Sequence, residues 1–114
     1  TAVLTKRAGI NLSNQDVILN IVGGVKIADT ALDLPVCTAI ISSFLNNSID
    51  NKTIALGEVG LGGEVRSVAR IKERIQEAKK MGFDKLILAP TKEKSSKIDF
   101  EVVENLEKLV RVLR

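Results

Sequence analysis

The sequence predicts a single α+β domain, and three observations carry that prediction. Segments rich in β-branched residues and segments with helical apolar spacing follow one another without the regular strand-helix alternation of a doubly wound sheet. The 114 residues fit one modest domain spanning 1–114. Hydrophobic residues make up 45% of the chain and the mean hydropathy is +0.14, enough to build a core. Within the sequence no repeat or linker is visible.

The elements follow in order. The chain enters on Thr1 to Gly9 as if at the end of a helix, and on Thr rather than Met, which suggests a fragment of something longer. Residues 16–22, then Gly23-Gly24, then Val25 to Ile27 read as strand, tight turn, strand. From Leu34 the positions Leu34, Cys37, Thr38, Ile41, Phe44 and Leu45 form a buried helical stripe ending before Asn46-Asn47. Pro35 belongs in a first turn, because an interior proline lacks the N–H and clashes with the carbonyl four residues back. Asp33 as cap satisfies this, and Thr30 as cap with Asp33 completing a capping box would start the helix earlier with a kink, so a start at 31–34 is preferred.

Thr53 to Leu56 and Glu64 to Val68 read as two strands joined by the glycine-rich stretch Gly57 to Gly63. Ile71, Ile75, Ala78 and Met81 mark an amphipathic helix closed by Gly82, followed by a buried strand over Lys85 to Ala89 that Pro90 ends. Residues 91–99 are polar and read as a loop. Val102, Val103, Leu106, Leu109 and Leu113 mark a last helix.

Composition excludes several chemistries. One cysteine, Cys37, rules out an internal disulfide, and the absence of histidine removes the commonest metal ligand and the commonest base near neutral pH, so zinc chemistry is excluded. Three phenylalanines with no Trp or Tyr leave little for base stacking. No apolar run approaches the roughly 20 residues of a spanning helix and no signal-peptide core opens the chain, so the default setting is cytoplasmic, without a membrane. The net charge of +3 is unevenly placed: residues 66–80 alone carry +4, which points to an anionic partner such as nucleic acid, or otherwise to a solvated helix face.

Individual motifs narrow this further. The cluster Gly57 to Gly63 is no phosphate loop, since a strand rather than a helix follows and no GxxxxGK[ST] occurs; the chain alone is not expected to bind ATP. Cys37 sits among Val36, Ile40 and Ile41 with no group to activate its thiol, and reads as core. Lys72, beside Ile71 in the first turns of a helix, is a candidate base if partly buried.

The run from Ala55 through Gly57-Glu58-Val59-Gly60-Leu61-Gly62-Gly63-Glu64-Val65-Arg66 and Arg70 to Lys85, ending at Leu86 to Pro90, carries a resemblance, as do Leu4 to Gly9, Asn14 to Val17 and Asn20 to Lys26. Together they resemble the carboxy-terminal Lon-protease-like domain of the bacterial RadA/Sms DNA-repair family. The resemblance implies the Lon proteolytic-domain fold, related to the second domain of ribosomal protein S5, with the leading strands missing, and a hexameric ring. Lon-type peptidases pair a serine with a lysine that takes its proton. The stretch matching their serine reads Asp29-Thr30-Ala31-Leu32-Asp33, so Ala31 stands at the nucleophile position, and Asp33 replaces a glycine. Ala69 to Arg74 matches Gly-Gly-Leu-Lys-Glu-Lys and keeps the amine as Lys72.

The resemblance therefore implies a pseudo-peptidase, whose parent is an ATP-dependent motor for DNA branch migration with ATP, magnesium and zinc bound only in upstream domains. This domain would contribute ring assembly and DNA contact through Arg66, Arg70, Lys72, Arg74, Lys79 and Lys80. Glu73 and Glu77 are positioned to neutralise some of these. Two alternatives stand beside it: an active peptidase with a displaced nucleophile, such as Thr30 or Ser67 beside Lys72, and a purely structural oligomerisation module.

Overall fold

A computed structural model describes residues 30–95 and 97–114. The expected hairpin at 16–27 and the opening helical end lie outside the described residues. A short 3-10 turn, Thr30–Leu32, leads into helix α1, Asp33–Leu45. Leu34, Cys37, Thr38 and Ile41 are its buried stripe, and the Thr38 hydroxyl is satisfied by donating to the Leu34 carbonyl at 2.7 Å. Pro35 falls in the first turn, where no intrahelical N–H is missed. The helix stops at Asn46, left-handed with φ 55°, where the N–H groups of Asn46 and Asn47 return to the Ser43 and Ser42 carbonyls. Phe44, expected inside, is 49% exposed, because the stripe continues from Ile41 to Leu45 and leaves Phe44 on its shoulder.

Three strands, β1 (Thr53–Leu56), β4 (Lys85–Leu88) and β5 (Asp99–Val102), form a parallel sheet in the order β1-β4-β5. Thr53 pairs with Lys85 and Lys85 with Asp99, with the registers running in step to Leu56, Leu88 and Val102. Two short strands, β2 (Glu58–Val59) and β3 (Val65–Arg66), make a separate antiparallel hairpin. Helix α2 spans Ile71–Lys80 and helix α3 spans Leu106–Leu113. The chain is therefore α+β, but its main described sheet is parallel, with the hairpin and α2 forming the crossover from β1 to β4.

The pleat sorts the core into two clusters. Ala55 and Ile87 face α1 and α3, packing with Leu34, Cys37, Ile41, Leu106, Leu109 and Val110. Leu86, Leu88, Ile54, Leu56, Phe100 and Val102 face α2 and pack with Ile75, Ala78 and Ile98. The sheet is thus sandwiched, with α1 and α3 on one face and α2 on the other.

Three expectations are corrected. The glycine-rich stretch is not a bare connection between two strands, since Glu58–Val59 within it is itself a strand that pairs with Val65–Arg66, and residues 67–70 are not strand. Met81 is 66% exposed, because α2 has ended and Met81 is its cap, while Gly82 follows at φ 92°. Val102 and Val103 do not belong to the last helix. Val102 ends β5, and α3 begins only after Asn105, whose side chain accepts the Lys108 N–H at 2.8 Å. Among the described residues no helix is long and apolar enough to cross a membrane.

Candidate functional site

Parallel strands place their carboxyl ends along one edge, the usual site of function in open sheets. Here that edge is roofed by the hairpin. Gly57, directly after β1, donates to the Ala31 carbonyl at 3.1 Å and accepts from the Leu34 N–H at 2.9 Å, fixing the start of α1 against the end of the strand. Even a methyl would be crowded there, since a Cβ on Gly57 would lie 3.0 Å from Leu34 Cδ2 and 3.2 Å from Val65 Cγ1. Asp33, half-buried, accepts the Val59 N–H at 3.1 Å and so ties β2 to the same helix end. This corrects the cap expectation: Leu32 is the N-cap and the Asp33 carboxylate serves the hairpin instead.

The other arm is fastened to α3. Val65 donates to the Glu104 carbonyl at 2.8 Å, and Leu106 donates to the Gly63 carbonyl at 2.9 Å. The tip closes through Gly60 N–H to Glu64 O at 2.9 Å and Gly63 N–H to Gly60 O at 2.9 Å, with Gly63 at φ 86°. Leu61, 92% exposed, projects from it.

Ala31, which the resemblance sets at the nucleophile position as an expectation, is a fully buried methyl whose carbonyl accepts from Gly57. Lys72 is exposed in the first turn of α2, and Thr30 and Ser67 are exposed. No hydrogen bond joins Lys72 to a hydroxyl among the described residues, so neither proposed substitute is oriented by the amine. Cys37 is buried in the core, and burial first, then the Asp33 carboxylate, pushes its thiol from 9.0 up to about 12. It is no thiolate nucleophile.

The basic residues of 66–80 divide rather than gather. Arg66 on β3 lies 3.7 Å from Glu58 and 3.3 Å from Glu64, two carboxylates that offset its charge. At about 100° per residue, with Ile71, Ile75 and Ala78 facing the sheet, Lys72 and Lys79 lie on one flank of α2. Arg70, Glu73, Arg74 and Glu77 line a shallow depression on the other flank. Lys80 points outward at the last turn. Arg70 itself is left-handed, with φ 60° and ψ 35°, at the N-cap of α2, and Arg74 Nε donates back to the Ala69 carbonyl at 3.0 Å.

Among the described residues, no group of three or more His, Cys, Asp or Glu side chains is arranged to hold a metal ion. Sequence reading missed the Gly57 and Asp33 fastenings. The Gly57 position is visible as one glycine of a cluster, but its crowding depends on Leu34 and Val65 arriving beside it.

The described residues form an α+β domain whose parallel three-stranded sheet is roofed by a β-hairpin. A family model described as subunit ChlI of Mg-chelatase matches residues 1–92, and the chain belongs to that family. It is similar to the DNA repair protein RadA of Chlamydia pneumoniae, with 51% identity over 87 residues, covering 76% of this chain and 19% of that protein. The RadA of Halalkalibacterium halodurans is 46% identical over 87 residues, with the same coverage of 76% and 19%. The RadA of Haemophilus influenzae is 40% identical over 112 residues, covering 98% of this chain and 24% of that protein. The chain thus spans about a fifth to a quarter of the length of these relatives.

Proposed function

We propose that this chain is a Lon-protease-like, non-proteolytic domain of a RadA-type DNA repair protein, and that it contributes DNA contact and ring assembly to the longer molecule. The observation that carries the non-proteolytic part is Ala31: a fully buried methyl with a committed carbonyl stands where a Lon-type nucleophile belongs, so Lys72 has no hydroxyl to activate there. The similarity to RadA over three quarters or more of the chain supports the DNA-repair setting, and with it a cytoplasmic location. ATP, magnesium and zinc belong, on this reading, to other segments of such proteins.

DNA contact rests on the charge of residues 66–80. Within that set Arg66 contributes least, because Glu58 and Glu64 hold it. Lysines and arginines neutralise phosphate without reading bases, so binding is sequence-independent and salt-sensitive.

The test is twofold. Incubation with a fluorogenic peptide and with casein is expected to give no turnover. Turnover abolished by Lys72→Ala would overturn the non-proteolytic reading. Binding of a labelled oligonucleotide across a salt series is expected to weaken linearly in log-log form, and salt-independent or absent binding by a ring-forming chain would replace DNA contact with a purely structural role.

A further inference from the structure

We infer that the main polyanion-contacting surface is a lysine seam formed by one flank of α2 and the loop between β4 and β5, built from Lys72, Lys79, Lys92, Lys94 and Lys97. The inference rests on the DNA-contact reading above and relocates its centre. It brings in three residues outside the 66–80 segment.

The placement follows from topology. Because β4 and β5 are parallel and adjacent, residues 89–98 must travel back from the carboxyl edge of the sheet to its amino edge. Ile98, at the end of that return, is buried with Ile75, Ala78 and Leu86, so the loop ends against the face that α2 covers. Strand, helix and parallel strand connect with a right-handed course in about 98% of cases. That hand, applied to β1, α2 and β4, turns the Lys72 and Lys79 flank toward β5 and the loop, and the Arg70, Arg74, Glu77 flank toward β1. Lys72 and Lys79 are seven residues apart, about 10 Å along the helix axis.

Charge accounting favours this side. The carboxylates of α2, Glu73 and Glu77, line the opposite depression. Glu101 on β5 is held by Lys85 at 3.7 Å. Lys72, Lys92, Lys94 and Lys97 are exposed, and Lys79 is half-exposed. Only Glu93 and Asp99 fall among the loop lysines or directly beyond them. Compact ammonium groups on a stretch returning beside a helix suit the phosphates of a nucleic-acid backbone, each taken as a point charge.

The experiment compares two variants of the full chain for binding a labelled single-stranded oligonucleotide over a salt series. One carries Lys92→Gln, Lys94→Gln and Lys97→Gln; the other carries Arg70→Gln and Arg74→Gln. Thermal melts of each confirm folding. The seam predicts that the loop variant binds at least ten-fold more weakly and that its log-log salt slope flattens by about 2, three contacts at about 0.7 each. A loop variant that binds like the parent overturns the seam. If the arginine variant alone loses affinity, DNA contact stands but lies on the other flank. If neither loses affinity the seam falls and the contact lies elsewhere on the chain, whereas a parent that does not bind overturns the DNA-contact reading itself.

Discussion

Replacing Gly57 with alanine puts a methyl group into a crowded junction of the core. That methyl would meet Leu34 Cδ2 at 3.0 Å, Val65 Cγ1 at 3.2 Å and Leu34 Cβ at 3.3 Å, all in the packed core rather than at a flexible tip. Overpacking of this kind costs about 1–3 kcal/mol, and reduced freedom of the unfolded chain returns about 0.4–1 kcal/mol, leaving a net loss of about 1–2 kcal/mol. For a domain of this size that lowers Tm by roughly 4–8 °C in a circular-dichroism melt. Gly62→Ala is the control, because its methyl would meet only the Glu64 carboxylate end at 3.3 Å or beyond. The steric cause is tested by repeating Gly57→Ala in a Leu34→Ala background, where Cδ2 is gone while Val65 Cγ1 and the Cβ of residue 34 remain, so the added cost should fall without vanishing. An equal cost in both backgrounds, or a Gly57→Ala chain as stable as its parent, refutes the claim that close approach to Leu34 dictates glycine here.

Asn105→Ala removes the side-chain acceptor for the Lys108 N–H and should cost about 1 kcal/mol in urea unfolding, with no effect expected from Asn105→Asp. Arg70, left-handed at φ 60°, should reverse the usual helix ranking: Arg70→Gly is neutral or slightly stabilising, whereas Arg70→Val costs about 1–2 kcal/mol in the same assay. The Cys37 thiol is raised from 9.0 to about 12 in the fold, so the protonated form is favoured there. Its contribution is fully present below pH 9 and is lost as pH rises toward 12, at about 1.4 kcal/mol per pH unit. Cys37→Ala should remove that part of the alkaline slope, and identical slopes in parent and variant would contradict it.

Much of this architecture is legible from pattern. The stripe from Leu34 to Ile41, the strands at Thr53 and Lys85, and the amphipathic helix at Ile71 are local signals, and each lies where periodicity puts it. β5 was missed although Ile98, Phe100 and Val102 alternate with Asp99 and Glu101, because Val102 and Val103 also fit the spacing of the helix that follows. Asn105, a good cap, marks the true boundary. The site is less legible. Ala31 and Lys72 are singled out only by the motif resemblance, and the hairpin's attachment to both α1 and α3 depends on backbone partners as far apart as Gly57 with Ala31 and Val65 with Glu104, which no single stretch reveals. Likewise the split of the basic residues follows from which side of α2 meets the sheet, and the offset of Arg66 from two carboxylates brought beside it by the hairpin.

The pairing of Thr53 with Lys85 separates two neighbours in space by 32 positions in the chain. During synthesis at about 5–20 residues per second, β1 waits roughly 2–6 s for the strand that completes it. Until then the side of β1 that β4 takes has no strand partner among the described residues. A chain stalled before residue 85 therefore holds the β2-β3 hairpin while β1 still lacks β4.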